Sequence, residues 1–133
     1  MKRTLKTLIA AAILLVLALP VFAQSFKRDF DIPAPMLLYP TEKADITGKD
    51  VLKLKWDSAT MDIDHLEFKI YKGYGASSAN LIFSQDVSSA ASTLELKSGL
   101  FEDGQTYNWQ MRAISGEGYK SDWSFDSFKV TKK

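Results

Sequence analysis

The feature that most constrains this chain is a period of two. Leu52, Leu54 and Trp56 alternate with Lys53 and Lys55, so one side of the segment is apolar and the other charged. Successive side chains of an extended chain point to opposite faces, and this spacing makes a strand with one buried and one solvated face. The pattern returns in Leu66, Phe68 and Ile70 against Glu67 and Lys69, and in Leu94 and Leu96 around Glu95. It returns at greater length in Tyr107, Trp109, Met111 and Ala113 against Asn108, Gln110 and Arg112. Beyond residue 23 no stretch sustains helical spacing. Turn chemistry separates the runs: Thr47-Gly48-Lys49-Asp50, Gly73-Tyr74-Gly75, Asp103-Gly104 and Gly116-Glu117-Gly118. Glycine supplies backbone angles that other residues avoid, and Asp and Asn fold back onto their own main chain.

Short strands at nearly even spacing imply an all-β sandwich or barrel. The strands are expected at Met36 to Tyr39, Val51 to Trp56, Leu66 to Lys72, Leu81 to Val87, Thr93 to Lys97, Thr106 to Ile114 and Phe125 to Thr131. That makes an immunoglobulin-like, seven-stranded antiparallel β-sandwich. Its expected core is Leu52, Leu54, Trp56, Leu66, Phe68, Ile70, Leu94, Leu96, Phe101, Tyr107, Trp109, Met111, Phe128 and Val130. Ile32-Pro33-Ala34-Pro35 reads as a linker into an edge strand, because proline cannot donate to a ladder.

The first 23 residues have a different character. Lys2, Arg3 and Lys6 precede an apolar run from Leu8 to Leu19, followed by Pro20 and Val21-Phe22-Ala23. This is the layout of a secretory signal peptide, with the cut expected between Ala23 and Gln24. The run is shorter than the roughly 20 residues that span a bilayer. The expected organisation is therefore a signal peptide over 1–23, a polar, Pro-containing segment over 24–34 and one β-domain over 35–131. The expected location is secreted or periplasmic, with no membrane attachment after cleavage.

Composition then removes whole classes of function. The chain has 17 Lys+Arg against 16 Asp+Glu, and removing Lys2, Arg3 and Lys6 turns the balance slightly acidic, against a nucleic-acid partner. With no cysteine there is no disulfide, thiol nucleophile, Cys-bound zinc or iron–sulfur cluster. A hydrophobic content of 46% excludes disorder.

The strand residues resemble the fibronectin type III domains over about Pro35 to Val130. Pro40 to Trp56 is similar to the first two strands of bacterial members: a Pro, an Ile-x-Gly turn, then Leu-x-Leu-x-Trp with Trp56 as the core tryptophan. Phe101 to Ala113 resembles the family's apolar residue, turn Gly and Tyr three residues later, which implies a tyrosine corner at Tyr107. Trp123-Ser124 and Phe128-Lys129-Val130 look like the approach to the last strand. The third strand departs from the family by offering Leu66, Phe68 and Ile70 where inward tyrosines are usual. Lys120-Ser121-Asp122-Trp123-Ser124 holds only half of a Trp-Ser-x-Trp-Ser motif, and no Arg-Gly-Asp triplet lies in Ser115 to Lys120, so neither receptor nor integrin function carries over. Fold alone does not carry function.

Catalytic chemistry finds no foothold. His65 is the single histidine and the strand period turns it outward, so no Ser–His–Asp site can be built. Asp57, Asp62, Asp64 and His65 form the best metal candidate, but a plain acidic loop explains them, and neither a metal nor any other cofactor is expected. The aromatics outside the expected core are Tyr39, Tyr71, Tyr74 and Tyr119, with Phe83 and Trp123 unassigned. The expected function is an exported, non-enzymatic binding or structural module acting through protein contacts, with an unidentified protein partner or self-association. A carbohydrate-binding module using exposed tyrosines is the alternative. The candidate contact residues are Glu117, Tyr119 and Lys120 in the last hairpin loop, with Tyr74; Trp56, Phe68, Tyr107 and Trp109 are structural.

Overall fold

The computed structural model describes residues 32–58 and 62–133. The leader, its cut after Ala23 and residues 24–31 lie outside the described residues. Among the described residues eight strands follow in order: β1 Met36–Tyr39, β2 Lys43–Asp45, β3 Val51–Asp57, β4 Ile63–Lys72, β5 Leu81–Ser88, β6 Thr93–Lys97, β7 Thr106–Ser115 and β8 Ser124–Thr131. They form two sheets of a sandwich, β1-β3-β6 and β2-β8-β7-β4-β5.

Two corrections to the expected seven-stranded antiparallel sandwich come from one short element. β2 is an eighth strand, and it runs parallel to β8, pairing Lys43 with Lys129, Ala44 with Val130 and Asp45 with Thr131. Three residues are too few to show a period, and Ala44 adds little apolar signal. The strand exists because the chain leaves the three-stranded sheet after Tyr39 and crosses to the edge of the other. That crossing is pinned at Pro40, whose carbonyl accepts a bond from the buried Trp109 Nε1 at 3.0 Å. A further correction concerns β4, which begins at Ile63 rather than Leu66, so Asp64 and His65 belong to the strand and not to a loop.

The core follows the alternation. Leu52, Leu54 and Trp56 from the narrow sheet meet Leu66, Phe68, Ile70, Tyr107, Trp109, Met111, Phe128 and Val130 from the wide one, with Leu96 and Phe101, all buried. Leu94, expected inside, is only half-buried near the edge of the three-stranded sheet. Ala44 and Ile46 are buried additions, supplied by the crossing segment. Tyr71 is also buried, although its outward parity argued against it. Beside it on the outer face lies Asn108, whose side-chain amide donates to the Tyr74 carbonyl at 2.7 Å. The segment after β4 therefore folds back over these two residues.

Pairing of β4 with β7 joins Ile63 to Ser115 and Lys72 to Tyr107. One end of the sandwich therefore carries the turn after Lys72 and the approach to Tyr107. The other carries the loop after Ser115.

Candidate binding surface

The loop from Ser115 to Lys120 is a tight, bonded hairpin. Gly118 N donates to Ser115 O at 3.0 Å and Ser115 N to Tyr119 O at 2.8 Å, while the Ser115 hydroxyl accepts from Tyr119 N at 3.0 Å. Gly118 has φ of 90°, a conformation that suits glycine. Ser121 then locks the entrance to β8, its amide donating to Ala113 O and its hydroxyl accepting from Ala113 N at 2.8 Å. The hydroxyl of this buried serine also donates to Asp122 O at 2.9 Å, so both its amide and its hydroxyl are bonded locally. Tyr119 is half-buried, and Glu117 and Lys120 are exposed.

Lys120 bridges Ile114 and so stands on the same outer face of the wide sheet as Arg112, two residues along β7. There the sandwich carries its most developed side-chain cluster. Arg112 lies 4.4 Å from the ring centre of Trp123, and Lys69 Nζ lies 5.3 Å from it. A cation over an aromatic face is attracted by the ring quadrupole. Arg112 is also paired to Glu67, with Nη2 to Oε2 at 2.8 Å and Nε to Oε2 at 2.9 Å, both side chains about one-fifth exposed. The pair holds the guanidinium flat, and the guanidinium holds Trp123. Next along the face, opposite Gln110, Phe125 is 69% exposed. A large ring is thus left open to solvent beside a tryptophan held by two cations.

No family model matches the sequence, and no curated protein sequence matches it. Solved structures do match. A computer-redesigned β-sandwich protein superposes with a TM-score of 0.58 at 16% identity, over 77% of this chain and 93% of that one. The chicken CNTN1 FN1–FN3 domains superpose with a TM-score of 0.56 at 10% identity, over 77% of this chain and 31% of that one. This is the fibronectin type III fold.

Within the fibronectin type III fold the tyrosine corner stands where the resemblance implied it. Tyr107 Oη accepts from Glu102 N at 2.7 Å, and its ring meets Phe101 edge-on at 5.0 Å and Phe128 at 5.9 Å. Burial pushes the Tyr107 phenol above the usual tyrosine range. Trp56 fills the core as expected, but its Nε1 finds no partner among the described residues.

The residues singled out from sequence are not gathered into one place. Glu117, Tyr119 and Lys120 share one end, next to the Trp123 cluster, whereas Tyr74, 76% exposed, lies at the opposite end. Tyr39 is on β1 of the other sheet and Tyr71 is buried, so among the described residues the tyrosines form no row. His65 Nδ1 and Asp64 Oδ2 are 2.7 Å apart. Among the described residues no three His, Asp or Glu side chains converge on a point where a metal could sit. Phe125 was missed. The signal was present, since inward Phe128 and Val130 make odd-numbered positions on that strand face out. Trp123 could not be placed from sequence because it precedes the regular part of β8.

Proposed function

We propose that this protein is an exported, non-enzymatic module that binds a protein partner through the outer face of its five-stranded sheet. Phe125 carries the reading: a phenylalanine more than two-thirds exposed, beside a tryptophan immobilised by Arg112 and Lys69. Aromatic and arginine side chains on a rigid surface lose little entropy on binding, and they dominate the energetics of contacts between proteins. Lys120 and Tyr119 border this face and supply a polar rim. The leader supports export, with processing after Ala23, and an intact mass beginning at Gln24 is the expected product. The described residues contain no helix long and apolar enough to cross a membrane.

The test is capture from an envelope or secreted extract by immobilised protein. Phe125→Ser should leave the fold intact and lose the captured protein, and Tyr119→Ser with Lys120→Ala should weaken it. Undiminished capture by Phe125→Ser overturns this face as the site. Binding on a glycan panel, abolished by Tyr74→Ser, would instead favour a carbohydrate-binding module.

A further inference from the structure

β3 is only partly covered on the side of β1. Strand β1 pairs with Lys55, Trp56 and Asp57 and then stops at Tyr39, because the chain turns away to form β2 on the other sheet. On its far side β3 pairs with β6 all the way from Val51 to Lys55. Among the described residues nothing pairs with Val51 to Leu54 on the side that β1 has left.

The ladder shows which main-chain groups face the gap. Asp50 O accepts from Ser98 N at 2.8 Å, and Trp56 N donates to Ser92 O at 3.1 Å, both toward the β6 side. In an antiparallel pair the bonding direction alternates, so Leu52 and Leu54 also bond toward β6. Val51 and Lys53 then turn their N–H and C=O groups to the vacated side. The space beside them is a groove of about 360 Å³, lined by Tyr39, Asp45, Ile46, Lys49, Lys53 and Lys55 among others. Three of those side chains are cationic. The single carboxylate, Asp45, already accepts a bond from Thr47 N at 3.0 Å.

We propose that this gap binds an acidic peptide in extended conformation, which continues β1 as an added strand along Val51 and Lys53. Free N–H and C=O groups on a strand edge are matched by another main chain, and side chains at the rim select which one. Lysines on an edge discourage indiscriminate pairing. The same lysines repel the identical edge of a second copy and attract a chain carrying Glu or Asp. A polyanionic sugar satisfies the charges but not the two main-chain rungs. This site is on a different sheet from the Phe125 face, so either can fail without the other.

The probe is a synthetic peptide of alternating Glu and Val, titrated into isotopically labelled protein. Amide signals of Val51 and Lys53 should shift most and gain protection from exchange, while those of Leu52 and Leu54 stay as they were. Replacing Glu by Lys in the peptide should abolish binding, and N-methylation at the alternate amides that face β3 should do the same. The variant Lys49→Ala, Lys53→Ala, Lys55→Ala, checked for an unchanged melting temperature, should bind about tenfold more weakly. Equal binding of the N-methylated peptide, shifts centred elsewhere, or no binding of the acidic peptide overturns the proposal. Binding of oligogalacturonate in preference to the peptide also overturns it and assigns the groove to acidic glycans.

Discussion

The outer faces of the two sheets use charge in opposite ways. On the five-stranded sheet Arg112 is matched by Glu67, and both Arg112 and Lys69 lie against Trp123, so the cations there serve to hold an aromatic surface. On the three-stranded sheet Lys53 and Lys55 point outward, and among the described residues neither forms an ion pair. Inside, the two sheets are alike, each contributing a buried tryptophan and a file of aliphatic side chains. The difference shows that the alternation which builds a half-buried sheet leaves its solvent face free to be specialised. On one face the cations lie against a tryptophan, and on the other they line an open strand edge.

The two tryptophans test this comparison most severely. Trp109→Ala and Trp56→Ala should each cost about 3 to 5 kcal/mol by urea denaturation. Trp109→Ala should be worse by about 1 kcal/mol, since it also strips the Pro40 carbonyl of its donor, whereas the Trp56 indole nitrogen has no such partner. A larger loss for Trp56→Ala would reverse the assignment of the wide sheet as the better anchored.

Tyr107→Phe comes next, at about 1 kcal/mol, because the ring stays and one bond to Glu102 N goes. A wild-type midpoint for that variant would mean that the corner bond adds nothing beyond the ring. Smaller still is the expected effect of Phe125→Ser on stability, within about 0.5 kcal/mol. Calorimetric melting of that variant separates a surface anchor from a misassigned core residue: a large drop would place Phe125 in the packing.

The smallest effect is electrostatic and belongs to the groove beside β3. The Asp45 carboxyl is held below the usual carboxylate range by its bonds to Thr47, with Lys49 adding to the shift. A depressed folded-state value stabilises the fold above the ordinary carboxylate range, and that contribution disappears as pH falls through the folded value. Asp45→Asn should therefore lower stability slightly at neutral pH and leave it unchanged below the folded-state value, where Asp45 is already uncharged, so that the acid limb of the stability curve flattens. An unaltered acid limb would show that the Thr47 turn contributes nothing.

Much of this was legible in the residues alone. Leu52, Leu54, Trp56, Phe68, Trp109 and Val130 declare their side by period, because a pleated strand sends every second side chain to the same face and only one face can exclude water. Tyr107 was legible through its spacing from Gly104, which sets the turn and hence the reach of the hydroxyl to Glu102. What period and turn chemistry could not reach were features made by partners distant in sequence. β2 exists because β8 offers it an edge, and Tyr71 is buried because the segment carrying Tyr74 folds over it. Trp123 became part of a surface because Arg112 and Lys69 come from two other strands. The free rungs of Val51 and Lys53 arise from where β1 stops. Local sequence sets the direction of a side chain; which strand, cation or gap lies in that direction is decided only when the sheets pair and the chain crosses between them.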